Sequence, residues 1–254
     1  MVKFKIIFVI SLLFLSVSIG YYLFNNISTK NVKIDPSTSI TPTIINPYEN
    51  IFNGYEIDWI EIRNLESINL NSNLVNKLSS DEIYENKKCK YLISAGFYNK
   101  EDKHIGLFVE HDKLISDYLK DDFFNGIFYL YENRAYISLS NPKNPTIALQ
   151  SGPVFMLNNR YLINNFENEE YARRNLIGLS NSGSVIFITI LAENKISGPK
   201  LSEIQGLIEK LEEKSQLNIV DLINLDGGSH SAFFSDTNKI RELSTIGGYF
   251  CITR

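Results

Sequence analysis

The sequence predicts an α+β fold: a largely antiparallel or mixed β-sheet core with a few packed helices, preceded by one N-terminal transmembrane helix. Three observations lead there. Short apolar segments with strand-like alternation recur from Ile51 onward, only two stretches carry helical periodicity, and several neighbouring segments are joined by loops too short for a parallel crossover.

The first 24 residues read as a membrane anchor or a signal peptide. Lys3 and Lys5 precede the uncharged run from Ile6 to Phe24, which as a helix reaches about 28 Å at ~1.5 Å per residue, close to the hydrocarbon thickness of a bilayer. Lysines ahead of the run hold the amino end in the cytoplasm and place the rest of the chain outside. Apolar and aromatic residues continue through Tyr21, Tyr22, Leu23 and Phe24, as in an uncleaved anchor. Ser16, Ser18 and Gly20 offer small residues for signal cleavage instead, which would release a secreted protein. Residues 25–50, with Pro36, Pro42 and Pro47 among Asn, Ser and Thr, read as an extended linker. Residues 51–254 then form the folded domain, large enough for one core.

Within it, Glu56 to Arg63 alternates clearly. Further strands are expected at Tyr91 to Ser94, Ile105 to Glu110, Ile127 to Tyr131, Ala135 to Leu139, Thr146 to Gln150, Asn175 to Ser180, Val185 to Leu191 and Ile219 to Leu225. Glu132-Asn133 and Asn181-Ser182-Gly183 carry hairpin-turn residues. One helix is expected over Asn71 to Glu85, with Leu74, Val75, Leu78 and Ile83 on an approximate stripe. A second opens at Ser202, with Gln205 completing a capping box, and presents Ile204, Leu207, Ile208 and Leu211 on one face. Cys89 and Cys251 read as two buried thiols in separate strands, although an exported chain could pair them.

The net charge of −4 and pI near 5.5 leave no basic excess to neutralise a phosphate polymer, so nucleic acid is excluded as a partner. A small anion needs only one or two local cations and stays admissible.

The segment Asn224-Leu225-Asp226-Gly227-Gly228-Ser229-His230-Ser231 carries the strongest chemical signal. An acid, two glycines and two hydroxyls at the exit of an apolar strand make a polar wall with little side-chain bulk, where backbone N–H groups can face an anion. Ser94-Ala95-Gly96-Phe97, Gln150-Ser151-Gly152-Pro153 and Arg173-Arg174-Asn175 also stand at strand ends. If these ends converge, they build one pocket with an arginine and a carboxylate, the arginine suited to paired hydrogen bonds with phosphate oxygens. His230 could serve as an acid–base group, whereas His104 and His111 are expected at the surface. The three histidines lack metal-binding spacing. Glu110 reads as a solvent-facing strand residue, and Phe123 to Tyr129 as a buried strand.

Taken in order, these segments, with Ile105 to Glu110, Asn125 to Tyr129 and Arg174 to Gly178, resemble the phosphodiester glycosidase family, which includes many exported bacterial proteins described as exopolysaccharide-related. The resemblance covers roughly residues 90 to 235. It implies hydrolysis of a sugar-1-phosphodiester in a cell-envelope or extracellular glycan. It places catalytic roles on Asp226 and Arg174 and substrate contacts on Ser94, Gly96, Gln150, Ser151, Gly152, Gly227, Gly228, Ser229 and Ser231. Asp226 would activate water, attack the anomeric carbon or bind a divalent cation, and the sequence leaves all three open. No other cofactor is implied. The family usually has Asn-Ala-Gly where this chain has Ser94-Ala95-Gly96. Serine lacks the amide's second donor, which supports an alternative: a non-catalytic module that binds a glycan or a partner.

Overall fold

The computed structural model describes residues 51–254 apart from 165, 167 and 168. The expected anchor and linker lie outside the described residues. Among the described residues, no helix is long and apolar enough to cross a membrane.

Among the described residues, seventeen strands form three sheets, and every strand pairing within them is antiparallel. The first sheet has seven strands in the order β1 (Ile51–Phe52), β2 (Tyr55–Ile62), β13 (Val185–Ala192), β12 (Arg174–Ser180), β14 (Ile219–Asn224), β10 (Val154–Leu157) and β11 (Arg160–Tyr161). The second runs β16 (Lys239–Ile240), β15 (Phe233–Phe234), β4 (Tyr91–Ala95), β17 (Gly248–Ile252) and β3 (Ile68–Ser72). The third runs β6 (Lys113–Ser116), β5 (Phe108–Glu110), β9 (Ile147–Ser151), β7 (Gly126–Tyr131) and β8 (Arg134–Ser138).

The central strand β13 shows why these layers form. Its sequence VIFITILA is buried along nearly its whole length, as a strand covered on both faces must be. Phe187 and Leu191 point into the main core, which also takes Ile93 and Phe250 from the second sheet and Phe108, Phe128 and Leu149 from the third. Ile186, Ile188 and Ile190 point the other way, onto the helix α2 (Ile204–Ser215). That helix lays Ile204, Leu207, Ile208 and Leu211 on the sheet, the stripe expected from the sequence. It begins through a turn of 3₁₀ helix at Leu201–Glu203, where the Lys200 N–H donates to Glu203, while Ser202 bonds Glu169. The capping box therefore sits two residues earlier than expected.

The other helix differs more. Residues through Ser72 belong to β3, and helix α1 occupies only Ser80–Lys87, opened by a Ser79/Glu82 capping box. Val75, placed on the expected stripe, is 93% exposed. Helix α1 instead buries Ile83 in a small cluster with Cys89, Leu92, Phe234, Tyr249 and Cys251 on the second sheet. The two cysteines are disulfide-bonded, with Cα atoms 5.3 Å apart across a separation of 162 residues. The expected free thiols give way because β17 pairs with β4 and puts Cys251 opposite Leu92, beside the end of α1. The β7–β8 hairpin turns through Glu132 and Asn133, both at positive φ, the geometry of a two-residue type I′ turn.

Closing so long a loop restricts the unfolded chain strongly. Cys89→Ser with Cys251→Ser is expected to lower unfolding free energy by about 2–5 kcal/mol, read as an earlier denaturant midpoint. An unchanged midpoint would contradict a bond of this weight.

Candidate active site

The register of β12 and β14 pairs Leu176 with Asn224 and Ile177 with Ile223. The Leu225 N–H continues it by donating to the Asn175 carbonyl at 2.8 Å. One step further, the same register brings Arg174 level with Asp226. There the ladder breaks, and the Gly228 N–H, not that of Gly227, donates to the Arg173 carbonyl at 2.9 Å. Glycine at 227 lets the chain pass this close, since a Cβ there would stand 2.5 Å from the Arg173 carbonyl oxygen. The residues Gly228–His230 then form one turn of 3₁₀ helix.

Arg173, the residue beside the expected one, fixes this turn. It is 4% exposed. Its Nη1 donates to the carbonyls of Arg241 at 2.6 Å and Ser231 at 3.3 Å, and its Nη2 to that of Lys195. The far side of the turn is held by Leu243 and Ser244, whose N–H groups donate to the Ser229 carbonyl at 2.6 and 3.0 Å. Ser229 Oγ accepts from Ser244 Oγ at 2.8 Å.

Asp226 is buried, and burial pushes its carboxyl up to about 7, opposed by a hydrogen bond from the Gly227 N–H. An adjoining guanidinium would pull it the other way. Arg174, expected in one pocket with this carboxylate, makes no ion pair with it. The backbones meet, since the Cβ position of Gly227 lies 3.8 Å from Arg174 Cα. The Arg174 side chain, however, donates from Nε to Pro199 O at 3.0 Å and from Nη2 to Glu170 O at 2.7 Å. The group that senses Asp226 is Tyr98, whose phenol is raised by burial first and by the Asp226 charge second. The sequence reading passed over Tyr98. Its signal was its place two residues beyond Gly96 at the exit of β4.

The other expected site residues gather around the same corner in several capacities. Ser94, 1% exposed, accepts from the Ala232 N–H at 2.8 Å and from Asn175 Nδ2 at 3.1 Å. Ser151 Oγ donates to the Asn224 carbonyl at 2.5 Å, and Asn224 Nδ2 returns a bond to the Gly152 carbonyl at 2.8 Å. Gly96 and Gly228 both adopt positive φ. Ser231 is fully buried, and its Oγ has no hydrogen-bond partner in the protein; neither do Asn175 Oδ1 and Asn224 Oδ1. Gln150 faces inward. Its Oε1 accepts from the N–H groups of Leu107 and Leu119, and its Nε2 donates to the carbonyls of Leu119 and Phe124. Its polar atoms are spent on tying three loops together.

Three further expectations need correction. His104 is buried, stacked on Phe108 at 3.9 Å with Nε2 at 2.8 Å from Ser72 Oγ, and burial pushes its pKa down to about 4. Phe123 to Tyr129 divides: Ile127 and Phe128 are buried in β7, while Phe123 is 41% exposed. Glu110 is half-buried and accepts from the Ser72 N–H at 3.1 Å. Among the described residues, no three His, Cys, Asp or Glu side chains gather as metal ligands.

Comparison with known proteins adds three findings. The family model described as phosphodiester glycosidase matches residues 87–248. No curated protein matches the sequence. Among solved structures, the catalytic domain of zebrafish N-acetylglucosamine-1-phosphodiester alpha-N-acetylglucosaminidase, described as auto-inhibited by its pro-peptide, is similar in fold. It has TM-score 0.57 and 13% identity, over 81% of this chain and 86% of that one. A hypothetical protein from Synechocystis is also similar, with TM-score 0.51 and 13% identity, over 80% of this chain and 60% of that one.

Two expected outcomes follow from this geometry. The folded state holds a proton on Asp226 that the unfolded chain releases between pH 3.8 and about 7. Its contribution therefore favours folding at low pH and is lost as pH rises through about 7. Asp226→Asn should raise the thermal midpoint at pH 8, with the advantage shrinking toward pH 4; a pH-independent difference would refute the burial argument. Gln150→Leu orphans several buried backbone groups, each worth about 1–3 kcal/mol. It should cost at least ~3 kcal/mol in a denaturant titration, where a purely ligand-facing residue would cost little.

Proposed function

The chain belongs to the phosphodiester glycosidase family, and from that membership we propose that it hydrolyses a sugar-1-phosphodiester with Asp226 as the proton donor. One observation carries this reading: a carboxyl buried at a glycine turn, raised to about 7 with no guanidinium paired to it. A group with that pKa holds its proton at near-neutral pH and can release it. Water supplies oxygen to the anomeric carbon, and the bond to the phosphate oxygen breaks with its electron pair on that oxygen. Asp226 protonates it, so that free sugar and a phosphate monoester leave. Phosphate is already a good leaving group, so this proton transfer contributes part of the barrier reduction and positioning contributes the rest.

Arg174, level with Asp226 in the register, is assigned the phosphate charge, and the 227–231 turn borders the substrate. Ser94, Gln150 and Ser151 act behind them by fixing the loops. The substrate belongs to the cell-envelope or extracellular glycans, with the chain exported and held by residues 6–24 or secreted after cleavage. The Cys89–Cys251 bond supports an oxidising compartment.

The full-length chain should release sugar from a sugar-1-phosphate diester. Because the acid must be protonated, kcat/KM should fall as pH rises through about 7. Asp226→Asn should lower kcat by roughly 100-fold or more, and Arg174→Gln should raise KM by roughly 10- to 100-fold, as for one charge-assisted bond. Glycan binding without release across a panel of diesters would instead identify a non-catalytic module.

A further inference from the structure

A donor at Asp226 leaves the attacking water without a group to take its proton. Hydrolysis at an anomeric carbon ordinarily uses two such groups. His230 lies four residues on, at the end of the same turn, half-buried with its ring against Tyr98. The two ring centroids are 5.4 Å apart and the planes cross at 88°.

Tyr98 is held rigidly. Its hydroxyl donates to the Thr245 carbonyl at 2.7 Å. Its ring occupies the space over Gly247, where a Cβ would stand 2.5 Å from Tyr98 Cδ1. The Asp226 charge is also among the causes that raise this phenol, and the ring edge packs on the imidazole four residues beyond that carboxyl. The turn bearing His230 is clamped from both sides, by Arg173 at the Ser231 carbonyl and by Leu243 and Ser244 at the Ser229 carbonyl. Ser229 Oγ lies 3.5 Å from His230 Nδ1. Accepting already from Ser244, it keeps a second lone pair for an Nδ1–H. That tautomer leaves the lone pair on Nε2.

Resting on the glycosidase reading above, we propose that His230 is the second catalytic residue, the base that deprotonates the attacking water. The water proton passes to Nε2 while the water oxygen bonds the anomeric carbon. The carbon–oxygen pair moves to the phosphate, and that oxygen takes the Asp226 proton. Solvent then carries the imidazole's proton back to the carboxylate, so the cycle closes with one water consumed.

Chemical rescue tests this on the full-length chain. His230→Ala should lower kcat by roughly 100-fold or more with little change in KM, and added imidazole should restore a measurable part of it. His230→Gln, which keeps the bulk against Tyr98, should show the same loss with a wild-type thermal midpoint. Wild-type turnover in His230→Ala, or a loss that imidazole leaves untouched, would overturn the assignment while the Asp226 reading stands. A wild-type chain that releases no sugar from any diester overturns both.

Discussion

The burial of one carboxyl group at a broken strand ladder governs what this structure can do. Asp226 lies two residues beyond the end of β14, at the point where the β12–β14 ladder slips by one residue around Gly227. A solvated aspartate there would cap its own turn and stay ionised. Burial instead raises it to about 7, and the neighbouring arginines leave it so. Arg173 directs its two Nη groups, and Arg174 its Nε and Nη2, to main-chain carbonyls. A cation paired to the carboxylate would strengthen the fold and remove the acid. The arrangement accepts a poorly solvated group in exchange for a proton held near neutral pH.

The scaffold explains how that group is kept in place. Three sheets share one core, and the segments that define the site leave it at adjoining strand ends. β4 delivers Ser94 and Tyr98, β9 delivers Ser151 and Gly152, β12 begins at Arg174, and β14 delivers Asp226. The serine that replaces the family's usual asparagine is part of this frame. Asn175 donates its amide to Ser94 Oγ from the neighbouring strand, so an amide donor is supplied at this corner by a different residue.

Much of this was legible in the sequence, and the rest was hidden for identifiable reasons. Strands with strong alternation or a long apolar run, such as β2, β13 and β14, sit within a residue or so of their expected limits. The two-residue strands β11, β15 and β16 are too short to carry a period. The end of β3, Asn71 and Ser72, falls within the expected helix because Leu74, Leu78 and the residues around them imitate helical spacing. The Asp226 turn stood out because glycines and an acid at a strand exit have few structural uses. Which arginine faces inward did not, because that depends on which face of β12 the other sheets cover. The buried one is Arg173, since it shares its face with Asn175. The burial of His104 and the disulfide were missed for the same reason: Ser72, which bonds His104, and Cys251, which bonds Cys89, are distant in the chain.

The most direct test is a carboxyl-carbon NMR titration of the folded chain labelled at aspartate, with Asp226→Asn identifying the resonance. The account predicts a transition near pH 7 at Asp226. A transition at or below the ordinary aspartate value of 3.8 would contradict it, and with it the assignment of Asp226 as the proton donor.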